Sequence, residues 1–143
     1  MANKKVIFLL IFLVILTSCS NQNRVIIDNG IEKFRIEAEV ANNLEERGKG
    51  LMSREFLDDN NGMLFIFDNE NYHSFWMKNT LIPLDIIFIS EELEIVDIVY
   101  AEPCTDDPCQ SYKPVKPAKY VLEVNGNFTV KNDIKIGNKI IIE

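Results

Sequence analysis

Among 143 residues the chain holds one histidine, His73, one tryptophan, Trp76, and three cysteines. These scarcities close off several chemistries. A structural zinc site draws on four cysteine or histidine ligands. With Cys19 assigned to lipid on the grounds given below, only Cys104, Cys109 and His73 remain, so no metal site is expected. A hydroxyl nucleophile would have to pair Ser53, Ser74 or Ser111 with His73. His73 and Ser74 are adjacent, however, and on a strand they point to opposite faces. No P-loop or dinucleotide fingerprint occurs, and no cofactor is expected. "LDDNNGMLFIFD" is a poor calcium loop, because Gly62 at the sixth position puts Leu57 where an oxygen ligand is required. Carboxylates for glycoside cleavage could come from Asp85, Asp97, Glu102 and Glu123, but no spacing selects two of them. Basic residues are also in deficit, 15 against 22 acidic ones, for a net charge of −7. Nucleic acid and anionic lipid headgroups both call for clustered Lys and Arg, and neither is expected as a partner.

No apolar run is long enough to make a bilayer span of about 20 residues. The longest, Val6 to Leu16, follows a short basic start at Lys4 and Lys5, which is the layout of a secretory signal peptide. It ends in Leu16-Thr17-Ser18-Cys19, which resembles the lipobox of bacterial lipoproteins. The plainer alternative is an ordinary signal peptide with a cysteine near its end. On the lipoprotein reading residues 1–18 are a leader, Cys19 is acylated, residues 19–24 include the polar tether "SNQN", and residues 25–143 form one globular domain. Loss of Lys4 and Lys5 takes the net charge to −9, so membrane attachment rests on the lipid at Cys19. The expected location is the periplasmic or extracellular face of a bacterial membrane, and the expected state is a monomer. Cys104 and Cys109 are then an even pair in an oxidising compartment and are expected to bond, closing a small ring worth about 2 kcal/mol.

The pattern of the domain is mainly β, an α+β chain of short, mostly antiparallel strands in a compact barrel or sandwich with one short helix near residues 42–51. "RVIID" and "IEKFRIEAEV" flank Asn29-Gly30 as a hairpin, with Phe34, Ile36, Ala38 and Val40 on one face and Lys33, Arg35, Glu37 and Glu39 on the other. In "NNLEERGKGL", Asn42 and Glu45 have the spacing of a helix N-cap box, and Gly48 and Gly50 limit the length. Further strands are expected in "GMLFIF", "HSFWM", "LDIIFIS", "EIVDIVYA", "KYVLEV" and "KIIIE".

Taken in order, "EVANNLEERGKGLMSRE", "GMLFIFDNE", "FWMKNTLIPLDIIFI", "PCTDDPCQSY" and "PAKYVLEV" resemble the bacterial and archaeal family named domain of unknown function 192. The resemblance covers essentially the whole mature domain and implies a single β-rich domain with a short helix. It implies no established activity. Asn138 in "IKIGNKI" stands where the resemblance leads one to expect an Asp.

"SFWMKNTLIPLD" is the stretch that local turn chemistry explains least. Asn79, Thr80 and Pro83 suit a turn, but an indole beside a cation and an acid inside the next apolar run do not follow from it. On strands, Trp76 and Lys78 share a face opposite Phe75 and Met77, and Asp85 shares a face with Ile87 and Ile89. Asp85 either caps the turn through the backbone amides of "KNT" or meets a cation, for which Lys78, Arg47 and Arg54 are the candidates. The candidate ligand-binding set is therefore Trp76, Lys78, Asn79, Asp85, Arg47 and Arg54, expected as one cluster at the mouth of the barrel. The function expected is binding of a small ligand or a protein partner at the cell envelope. The alternative is an envelope hydrolase or transferase working through Asp85, Lys78 and neighbouring carboxylates. No catalytic residue can be named from the sequence, and the balance is against an enzyme.

Overall fold

The structure, a computed structural model, describes residues 22–143. The leader and Cys19 lie outside the described residues. Nine strands and two short helices follow in the order β1 (Gln22–Asp28), β2 (Lys33–Ala41), α1 (Leu44–Lys49), β3 (Asn61–Asn71), β4 (Phe75–Trp76), β5 (Leu84–Ile89), β6 (Ile95–Ala101), β7 (Ser111–Tyr112), β8 (Ala118–Asn125), α2 (Phe128–Lys131) and β9 (Lys139–Ile142). Pairing in β1 starts at Gln22, inside the stretch read as tether. There Arg24 exchanges backbone bonds with Glu143 and its guanidinium bonds Glu37 and Glu143.

Seven strands form one sheet in the order β6-β5-β8-β3-β2-β1-β9, and β4 and β7 make a separate ribbon. Every pair in the sheet is antiparallel except β2 with β3, which are joined through α1. The sheet curls until its edges meet at one corner, where Ile95 donates to the Asn138 carbonyl at 3.0 Å and Ile140 to the Leu93 carbonyl at 2.9 Å. The result is a half-barrel, mainly β as the alternation predicts. Its inside is filled by Val25, Ile27, Ile36, Leu64, Ile87, Leu122 and their neighbours.

The centre of the sheet is covered on its outer face as well. Phe65, Ile86, Phe88 and Val121 pack there against Leu51, Phe75 and Met77. This is why all six residues of β5 are buried and why its sequence is apolar on both faces. The cap of α1 falls one residue later than its spacing suggests: the Asn43 side chain accepts from the Glu46 amide, and the Glu46 carboxylate accepts from the Asn42 amide, each at 3.0 Å. The turn α2 stands after the glycine turn at Gly126 and is an addition to the single helix expected.

Close packing between β3 and β8 makes one position in the sheet intolerant of a side chain. A methyl at Gly62 would lie 2.6 Å from the backbone oxygen of Glu123 and 3.1 Å from Ile36. Gly62→Ala is expected to cost about 1 to 3 kcal/mol through forced strand separation. Urea unfolding measures it, and a loss below about 0.5 kcal/mol would show that the strands yield freely.

Candidate functional site

A cavity of about 350 Å³ opens on the outer face of the sheet, between α1 with its following turn, β3, and the approach to β4. This is within the size range of small-molecule sites. Its walls are aromatic. Phe65 and Phe75 meet edge to face with ring centres 5.0 Å apart, and His73 stacks on Phe67 at 3.6 Å. Trp76, 52% exposed, stands at the mouth. Arg47, on α1, lies 5.0 Å over the Phe67 ring, and its Nη1 donates to the carbonyls of Asn42 at 2.7 Å and Ile66 at 2.9 Å. Lys49 lines the exposed rim.

Glu123, in β8, lines the same cavity and is only 5% exposed. On its strand it shares a face with Val121, toward the cavity, while Leu122 and Val124 point into the barrel. Its partners in register are Met63 and Ile86, both apolar. Burial alone pushes its carboxyl up to about 8. No described residue bonds or pairs with that carboxyl, yet no buried polar atom among the described residues is both sealed off and unpaired. The carboxyl therefore opens onto the cavity.

Of the six residues singled out in the sequence, Arg47 and Trp76 meet at this cavity. Lys78 shares the side of Trp76 as alternation requires, 5.8 Å from its ring centre, but is paired with Asp107 at 3.0 Å. Asn79 takes the left-handed conformation of a tight turn, with φ of 57°, and its carbonyl accepts from the Ser53 amide. Arg54 pairs with Glu39 at 2.6 Å. Asp85 is 1% exposed and meets neither Lys78 nor an arginine. It accepts from the Asn127 amide at 3.0 Å, the Thr129 amide at 2.8 Å and the Thr129 hydroxyl at 2.6 Å. The single cluster does not form, because Asp85 points with Ile87 and Ile89 into the barrel whereas the cavity lies on the opposite face with Ile86 and Phe88. The amides it caps belong to the start of α2 rather than to "KNT".

The remaining candidates are placed as follows. The Ser74 hydroxyl bonds that of Ser111, and His73 Nε2 donates to the Asn69 carbonyl at 3.2 Å, so no serine among the described residues is paired with the imidazole. Cys104 and Cys109 form a disulfide, Cα to Cα 5.7 Å, in a loop that docks on the 77–80 turn through the Cys104 amide and the Met77 carbonyl. Sequence reasoning weighed Glu123 only as one of four carboxylates for glycoside cleavage and left it out of the candidate site. The signal was present, since "VLEV" puts an acid inside an apolar run just as "LDIIF" does.

Comparison with known proteins agrees with the fold. A UPF0127 protein of Pyrococcus furiosus is 25% identical, over 76% of this chain and 89% of its own length. A UPF0127 protein of Pyrococcus abyssi is 28% identical, over 76% and 87%. Among solved structures, a protein of unknown function from Novosphingobium aromaticivorans is 34% identical with a TM-score of 0.77, covering 82% of this chain and 83% of its own. A putative transcription regulator from Sinorhizobium meliloti is 28% identical with a TM-score of 0.79, covering 85% and 93%. The profile of one family, DUF192, described as an uncharacterized ACR, matches residues 25–142, nearly the full span of the strands just described. The chain belongs to the DUF192 family.

Proposed function

We propose that this protein is a binding protein of the cell envelope, exported, held at a bacterial membrane by lipid on Cys19, and taking a small ligand into the cavity beneath Trp76. One observation carries the ligand reading. Glu123 is a buried carboxyl lining an aromatic-walled cavity with no partner among the described residues, an arrangement that costs stability unless a bound group supplies one. The signal-like leader and the Cys104–Cys109 disulfide support an extracytoplasmic location.

The rival assignment, a hydrolase or transferase using Asp85 and Lys78, has less support. Asp85 spends its acceptor capacity on Asn127 and Thr129, and Lys78 is paired with Asp107. The description of the Sinorhizobium protein as a putative transcription regulator likewise draws little support here, because a net charge of −7 opposes a phosphate backbone.

Native mass spectrometry on the full chain, purified from its own envelope without denaturation, tests the ligand reading. The expected spectrum shows a small-molecule adduct that Trp76→Ala or Glu123→Gln weakens. A bare protein mass in every preparation would count against it. For the anchor, Cys19→Ala is expected to give an uncleaved or mislocalised precursor that carries no acyl mass. Aqueous partitioning of the wild-type protein with no acyl mass on Cys19 would sink that part of the proposal.

A further inference from the structure

Resting on the cavity as the binding site, we infer that its ligand is a small organic cation, whose positively charged nitrogen sits against Glu123 between the aromatic walls. Three observations converge. Among the described residues Glu123 is the one acidic side chain lining the cavity, is more than nine-tenths buried, and has no cation holding it. The positive groups nearby are engaged or peripheral: Arg47 is tied by two carbonyls and by Phe67, and Lys49 is on the rim. The walls include Phe65, Phe75 and Trp76, whose ring faces attract a cation that has left water.

The chemistry of binding follows from the state of the carboxyl. With no cation beside it, burial keeps Glu123 protonated at neutral pH, since its pKa is raised to about 8. An incoming cation favours the carboxylate, so the proton on the Glu123 oxygen leaves for the solvent and a charge pair takes its place. No bond is formed or broken apart from that O–H. Met63 and Ile86 flank Glu123 in register, and the charged or titratable groups that share its cavity are Arg47 and Lys49 from α1 and His73 from the approach to β4. Comparison with Glu123→Gln cancels whatever these groups contribute to the pH dependence.

Trp76 is the only tryptophan of the chain and stands at the mouth, so its fluorescence reports occupancy whatever the charge of the probe. The full chain and its Glu123→Gln variant are titrated at pH 6, 7 and 8, at fixed ionic strength, with benzyltrimethylammonium, benzyl alcohol and phenylacetate. Matching circular dichroism establishes that the variant is folded. The expected result is an affinity for benzyltrimethylammonium that rises about 50-fold from pH 6 to pH 8 in the wild type, following ionisation of a group at about 8. In Glu123→Gln that affinity is weak and flat with pH. Equal dependence on pH in both proteins, or cation binding no tighter than that of benzyl alcohol, overturns the inference. If the neutral or anionic probe shifts Trp76 while the cation does not, the cavity is a binding site for another class of ligand and only the inference fails. If no probe shifts Trp76 in either protein, the binding reading of the cavity fails with it.

Discussion

Glu123→Gln is expected to be more stable than the wild-type protein at pH 9, with the advantage shrinking to little at pH 5. The sign follows from the direction of the shift. Burial raises the native pKa of Glu123 from 4.5 to about 8, so the folded protein binds this proton more tightly than the unfolded chain. Its favourable contribution is complete below about 4.5 and is lost as pH rises through 8. At about 1.4 kcal/mol per pKa unit, the whole span corresponds to at most about 5 kcal/mol. Glutamine has the same shape and no charge to strip of water, so it removes the slope. The difference between the two proteins isolates one group from the many surface carboxylates that also titrate. Urea unfolding of both at half-unit steps from pH 5 to 9 gives the two curves. Parallel curves would mean that Glu123 is solvated in the folded protein. The cavity would then lose the feature that marks it as a site.

A chain that keeps a titrating acid at this position gives up stability above neutral pH. Glutamine would fill the same space, and an apolar side chain would suit the neighbours Met63 and Ile86. Nothing in the packing of β8 calls for a carboxyl. By contrast Asp85, the other buried acid considered, is explained in full by the donors it satisfies. Two acids buried in adjacent strands thus have opposite meanings: one completes the fold, and the other faces a space the fold leaves open.

Much of the sheet was legible because periodicity is a property of single strands. The alternation of Phe34, Ile36 and Ala38 against Lys33, Arg35 and Glu37 matches the wet and dry faces of β2, and the unbroken apolar run of β5 matches its burial on both faces. What alternation cannot carry is which strands end up adjacent. That Glu123 lies on a covered face follows only once β8 is known to lie between β5 and β3 with a covered outer face. The two-residue strand β7 has no pattern of its own and exists because Ser111 and Tyr112 meet Trp76 and Phe75 across the ribbon. The candidate cluster in "SFWMKNTLIPLD" was right about the side shared by Trp76 and Lys78, and Arg47 joins Trp76 at the cavity. It went astray at Asp85, because the turn from 77 to 83 brings the chain back with that side chain on the far face of the sheet.

Asp85→Asn is expected to destabilise the protein by about 3 kcal/mol while leaving intact whatever binding the proposed site shows. The carboxylate takes three donors in a place that is 1% exposed, two of them backbone amides at the start of α2. α2 has only four residues, and the side chain of its own N-cap residue, Asn127, makes no capping bond. A helix that short cannot hold itself together, so Asp85 supplies its cap from a strand 42 residues earlier. Asparagine keeps the shape but offers one carbonyl oxygen and turns an NH₂ toward the Thr129 donors, which leaves buried donors without an acceptor. Thr129→Val removes only the hydroxyl bond and should cost less, about 1 kcal/mol. Urea unfolding at pH 7 gives both values, and amide exchange at residues 127–132 should rise in Asp85→Asn before global unfolding does. Because Asp85 faces the barrel interior, titration of Trp76 below the melting temperature should give wild-type affinity. A variant that keeps full stability but no longer binds would instead make Asp85 part of the site, and the two faces of β5 would have to be joined in function.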